Sequence, residues 1–321
     1  SDAQTAIEDQ PSPEAYHMRG TIFLKMNRLP EAIAAFSQAL NLAQGTPVSE
    51  DARQMRAQAL SLSGCYDEAI RDLDDVLQAN PVSVTALSYR LQIYLELNRP
   101  EEALLDYDAI IKLQPLSPDW LYRRATLHMS LMQYERAIAD ASKAIEISPN
   151  CVDAYFCRGT AYGAWSKMEL ALADFDVCAT SNPSAEVHLA KAAIYARSQD
   201  FDKVLQEFDL ALDYDPISAP VYYHKACTLM NLKRWEDALL SVEKAACFQP
   251  DNALFVATRG LICFRLEQYA AAVDQLTTAI DMSPKLACAF IWRADALEKM
   301  GLLDESRADR QAASNLGASK R

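Results

Sequence analysis

The sequence predicts an all-α solenoid of about nine helical hairpins, and three observations point to it. Prolines Pro81, Pro115, Pro149, Pro183, Pro216, Pro250 and Pro284 are spaced by 34, 34, 34, 33, 34 and 34 residues. Twelve positions before each stands a small residue: Ala69, Ala103, Ala137, Ala171, Ala238 and Ala272, with Val204 the exception. Between prolines the apolar residues recur at helical spacing in two blocks, and only 8 glycines occur among 321 residues of which 50% are hydrophobic. A fixed period of this length marks a stack of identical supersecondary units, each burying its apolar face against its neighbours.

Units start near residues 13, 50, 84, 118, 152, 185, 219, 253 and 287. The fifth reads "VDAYFCRGTAYGAWSKMELALADFDVCATSNP", with a first helix expected from about Val152 to Trp165 and a second from about Met168 to Thr180. Proline then blocks further extension. The first unit is about three residues longer, through "AQGTP". In an antiparallel hairpin turning near the fifteenth residue, positions summing to about 31 lie level, so small residues at the eighth place let the helices approach. In the last unit Ser306, Arg307 and Arg310 replace apolar residues, which reads as the polar outer face of a capping helix. The division expected is a flexible segment 1–12, a repeat array 13–316 and a tail 317–321.

This pattern resembles the tetratricopeptide repeat family: an aromatic, a small residue, a tyrosine, then alanine, phenylalanine, alanine and a closing proline. In the fifth unit those places hold Tyr155, Gly159, Tyr162, Ala171, Phe175 and Pro183, with Cys178 for the later alanine; in the seventh they include Tyr222, Ala226, Ala238, Ala245 and Pro250. The resemblance covers roughly residues 13 to 316 and implies a right-handed superhelix with a concave groove that binds protein segments. In that family the groove is built from the second, fifth, sixth, ninth and twelfth places of each first helix. Those places are polar to acidic early in the chain (Glu14, Asp51, Asp119, Asp153) and apolar with aromatics later. The acids also fit a bland reading, since carboxylates favour a helix's first turn. Tyr89, Tyr122, Arg123, Phe156, Tyr223, His224, Phe264 and Trp292 are the candidate groove residues, as aromatics facing a groove often anchor partners. Interior packing between units is the competing reading for the same rings.

One place is basic in every unit: Arg19, Arg56, Arg90, Arg124, Arg158, Lys191, Lys225, Arg259 and Arg293. Such a ladder either tracks an anionic ligand or pairs within the scaffold. The twenty-third place, level with it, is acidic in six units (Asp72, Asp106, Asp140, Asp174, Glu207 and Asp309), and guanidinium forks match carboxylates well. The scaffold reading follows, with each base reaching the acid of its own unit or of the one before. Arg19, Lys225 and Arg259 face Ala35, Ser241 and Gln275, and are the rungs expected to be open to a ligand.

A net charge of −13 argues against nucleic acid and anionic membranes as partners. The eight cysteines form no CxxC pair and no metal-ligand spacing, so they read as reduced, mostly buried thiols of a cytoplasmic protein, with neither metal nor cofactor. The acidic N-terminus has no signal-peptide core, although the leading serine leaves room for a removed upstream segment. No phosphate loop, HExxH or GxSxG occurs, and His17, His128, His188 and His224 lie on different units, so no catalytic set assembles. The carboxylate clamp of heat-shock co-chaperones and the asparagine ladder of the O-linked GlcNAc transferase both need asparagines where this chain has Met18, Met55, Tyr89 and Cys157. The reading is a non-catalytic scaffold or adaptor. The alternatives are a recruiting arm of a larger enzyme, and self-association through exposed faces.

Overall fold

The computed structural model describes residues 12–43 and 47–317 and, within them, holds only helices, turns and connecting coil. The predicted segment 1–12 lies outside the described residues except Ser12, whose hydroxyl accepts from Ala15 N (3.2 Å) and caps the first helix. Residues 318–321 of the predicted tail also lie outside them.

Eighteen helices are described: α1 (Pro13–Lys25), α2 (Leu29–Leu42), α3 (Pro47–Leu62), α4 (Tyr66–Ala79), α5 (Val84–Glu96), α6 (Pro100–Leu113), α7 (Pro118–Ser130), α8 (Tyr134–Ile147), α9 (Val152–Ala164), α10 (Met168–Ser181), α11 (Ala185–Arg197), α12 (Phe201–Tyr214), α13 (Ala219–Asn231), α14 (Trp235–Phe248), α15 (Ala253–Arg265), α16 (Tyr269–Met282), α17 (Ala287–Lys299) and α18 (Leu303–Asn315). Odd-numbered helices are the first of each hairpin and even-numbered the second. From α4 to α16 every second helix stops two residues before its proline, because the residue preceding proline is pushed out of the α region. One start differs from expectation: α3 begins at Pro47 rather than near 50, proline's fixed φ suiting the first turn, and the helix runs to 16 residues.

The turns inside the hairpins share one device. Nine residues, each 34 or so apart, have positive φ: Asn27, Gly64, Asn98, Met132, Ser166, Gln199, Lys233, Glu267 and Gly301, with φ between 54° and 81°. The amide that follows then bonds back to a carbonyl of the first helix, as Gln133 N does to His128 O (2.8 Å). This left-handed residue reverses the chain in three residues and sets the angle of the hairpin.

The chain divides into two compact units, one ending at Ala161 and the other beginning at Tyr162, a division that falls within α9. In the first unit, hairpin partners pack together (α1 on α2, α7 on α8), α2 packs on α3, α4 on α5 and α6 on α7, and α1, α3 and α5 also touch in series. The second unit repeats this from α11 to α18, with α15 and α17 in direct contact. Cores lie between hairpins: Ala57, Leu60, Leu73, Val76 and Ile93 in one unit, Ala226, Leu229, Val242, Phe255 and Ile262 in the other. Close approach is absolute at Gly20 and Gly260, where a Cβ would stand 2.6 Å from the Phe36 ring and from Leu276 Cγ. The eighth place therefore meets the twenty-fourth, while the seventh reaches the twenty-third.

At the C-terminal end, Arg307 and Arg310 lie outward as expected, but Ser306 is buried at 3% and faces the hairpin interior. A serine suffices there because α18 packs on α17 through small side chains, Ala313 among them.

Candidate functional site: a face of first helices and a basic seam

The predicted ladder residues sit in the seam between helices. Arg56 forks onto Asp72 (Nε–Oδ2 2.7 Å) and its third nitrogen donates to Ser37 of the hairpin before (3.1 Å). Arg90 holds Asp106 (3.0 Å) and reaches back to Asp74; Arg124 holds Asp140 (2.7 Å) and reaches back to Asp108. Arg293 holds Asp309 (2.8 Å) and Thr277 (3.0 Å), and Arg158 donates to Ser142 (3.2 Å). Lys191 lies between Asp176 (3.0 Å) and Glu207 (2.8 Å), and Glu207 also takes His188 Nδ1 (2.7 Å). Arg56, Arg90, Arg124, Lys191 and Arg293 each tie their own hairpin shut and fasten it to the preceding one. The carboxylate bonds hold the guanidinium of Arg90 above its ordinary range, and burial pushes the Asp106 carboxyl upward against that pull.

The three rungs expected to be open differ in what they meet. Arg259 donates from two nitrogens to Gln275, whose amide oxygen substitutes for a carboxylate, and Lys225 pairs with Asp209 of the hairpin before. Arg19 has Ala35 opposite and lies over the Phe23 ring at 5.3 Å; its Nε is buried with no hydrogen-bond partner among the described residues.

The eight candidate groove residues do not form one site. Tyr122 and Arg123 on α7 and Phe156 on α9 come together: Tyr122, Thr126, Met129, Asp153, Phe156, Cys157 and Thr160 line a cavity of about 260 Å³, its walls mostly carbon. The residues are one and two turns apart on neighbouring first helices, so i, i+4, i+7 spacing aims them at the same space. Arg123 stands outside, its guanidinium 5.9 Å from the Tyr122 ring. The Thr126 hydroxyl lies 3.0 Å from Tyr122 O and 3.8 Å from Cys157 Sγ, both acceptors within its reach. Burial pushes the Cys157 thiol up to about 11, so it is a neutral, small apolar wall rather than a nucleophile. Thr126, Met129 and Thr160 are the lining residues not named from the sequence; their signal was their place, four and seven residues after Tyr122 and four after Phe156.

Tyr89 lines a separate cavity of about 330 Å³ on α3 and α5, among Gln58, Gln92, Glu96 and Tyr66, and is more polar in company. In the second unit Tyr223 leans on Phe255 (centroids 5.0 Å) and on the exposed His224 (5.8 Å). Phe255 is the buried ring that holds Tyr223 in place, and it was not among the predicted residues. Phe264 and Trp292 pack against the core cluster containing Leu276 and Ala289, half-buried, with Tyr269 beside Phe264 (5.8 Å). His128 is a core residue as expected: buried at 6%, Nδ1 on Gln133 (2.8 Å), its pKa lowered first by burial. The thiols are less uniformly buried than expected, since Cys65 and Cys247 are exposed at turn and helix-end positions. No described helix is long and apolar enough to cross a membrane.

Comparison with known proteins accords with this geometry. Models of the tetratricopeptide repeat match residues 13–46, 54–118 and 92–151. A tetratricopeptide repeat protein from Parabacteroides merdae superposes with a TM-score of 0.58 at 18% identity, covering 74% of this chain and 93% of that one. The C-terminal part of a repeat-containing protein from Cytophaga hutchinsonii gives 0.60 at 16% identity, covering 68% and 89%. At such identities the likeness speaks to the fold. A search of the curated proteins found no match.

Proposed function

Since this chain is a tetratricopeptide repeat protein, we propose that it is a non-catalytic scaffold whose first-helix face takes a segment of a partner protein. Protein interaction is the general role of the family; the assignment of a face is our own reading. The observation that carries it is the cavity between α7 and α9, where Tyr122, Met129, Phe156 and Cys157 leave about 260 Å³ of carbon-lined space. Rings that are half-buried before binding lose little side-chain freedom on capture, which suits them as anchors. A bulky apolar side chain of the partner fits that space, with Arg123 and Asp153 at its edge to orient the flanking backbone. Tyr223 with His224, and Phe264 with Trp292, offer the second unit's own contacts.

The test is a comparative pull-down with mass spectrometry. The Tyr122→Ala, Phe156→Ala double variant is checked by circular dichroism and set beside the natural chain and an Arg136→Ala control on a second helix. A specific set of proteins held by the natural chain and the control but lost by the double variant is expected. Identical capture by all three would sink the aromatic-face reading.

A further inference from the structure

We propose that the seam around Lys225 in the seventh hairpin is a docking site for an acidic side chain, aspartate or glutamate, of a partner polypeptide. The inference comes from comparing the chain with itself. In the sixth hairpin Lys191 stands between two carboxylates, Asp176 of the hairpin before and Glu207 of its own second helix. Arg90 and Arg124 have the same two-carboxylate arrangement. In the seventh hairpin the first carboxylate is present as Asp209, but the second place holds Ser241. Serine is too short to reach, and its hydroxyl is turned to Asp237 O (2.9 Å).

A cavity of about 280 Å³ lies where the carboxylate is missing. That is several times the ~30 Å³ share of one water in the liquid, ample for a carboxylate and its stem. Around it stand Lys225, Arg234 and Lys244 against Asp209 and Asp237, three cations to two carboxylates, so one positive charge is in excess. At the same place in the second hairpin, Arg56 and Arg71 face Glu68 and Asp72, two against two. The second hairpin's cavity has no such excess, and that of the seventh occurs on a chain whose net charge is −13. Lys244 lies over the Tyr222 ring at 5.1 Å with no carboxylate at ion-pairing distance among the described residues, so its ammonium donors are available. Leu240, 61% exposed at the rim, gives the residue beside the incoming acid an apolar shelf. An arriving carboxylate would restore the pattern of the neighbouring rungs and balance the local charge.

The probe is a tetramethylrhodamine-labelled peptide with two glutamates flanked by leucine and glycine, titrated by fluorescence anisotropy. A matched glutamine peptide is the control. The full chain should bind the glutamate peptide saturably and the glutamine peptide at least tenfold more weakly. Ser241→Asp places the missing carboxylate within the chain and should reduce binding at least tenfold, while melting no lower than the natural protein. Ser241→Ala, which leaves the cavity open, should bind as the natural chain does. No saturable binding by the natural chain, or undiminished binding by Ser241→Asp, would overturn the proposal. This site is on a different seam from the Tyr122 cavity, so the Tyr122→Ala, Phe156→Ala variant should bind the probe normally, and the two readings fail separately.

Discussion

Asp106 is only 2% exposed, and its two oxygens take the fork of Arg90, which itself keeps some contact with water. Burying the carboxylate costs solvation that the guanidinium restores, so such a pair fixes register more than it adds net stability. The cost becomes visible when one partner goes. Asp106→Ala leaves the Arg90 fork with Asp74 alone and should lower stability by about 1.5–3 kcal/mol, the usual worth of a charge-assisted bond. Arg90→Met with Asp106→Leu should lose less than Asp106→Ala, as both charges leave together. Urea denaturation followed by circular dichroism measures both, and a loss within error for Asp106→Ala would remove the structural role assigned to the ladder. At this scale the sequence already paired bases with acids, because residues seven and twenty-three of a unit must lie level. The reach of Gln275 to Arg259 was not legible there, since it depends on side-chain extension across a seam and not on charge matching.

The hairpin turns on one left-handed residue, and seven of the nine are not glycine. A side chain with a Cβ costs about 1–2 kcal/mol in that conformation, while glycine costs about 0.5–1 through the freedom it loses on folding. Met132 has φ 56° and is 73% exposed, so its side chain contributes little packing in return. Met132→Gly should therefore raise stability by about 0.5–1 kcal/mol, and Gly64→Ala should lower it by a similar amount. Thermal melts of the two variants give the comparison, and a destabilised Met132→Gly would contradict the turn argument. Helix existence and order were legible from the period and the apolar spacing alone. The earlier start of α3 was not, since the proline that ends "AQGTP" reads as part of a turn while its fixed φ also suits a first helical turn.

Across the whole molecule, the cysteines report burial at eight points on the chain. Iodoacetamide at neutral pH should modify Cys65 and Cys247 first and leave Cys157, Cys178 and Cys263 until denaturant is added. Cys157 is protected twice, by its apolar cavity and by a thiol pushed up to about 11. Early modification of Cys157, read by peptide mass spectrometry, would mean that the α7–α9 seam opens in solution. The sequence by itself determined the all-α class, the period, the alternation of helices and the places of the basic rungs. All of these follow from which residues recur at fixed spacing, and spacing is a property of the chain alone. Only the tertiary structure decided that Tyr122 and Phe156 share a cavity with Met129 while Tyr89, Tyr223 and Trp292 lie elsewhere, and that the missing carboxylate at Ser241 leaves open space. Cavities are what packing leaves over between several side chains at once, and no single repeat position encodes that remainder.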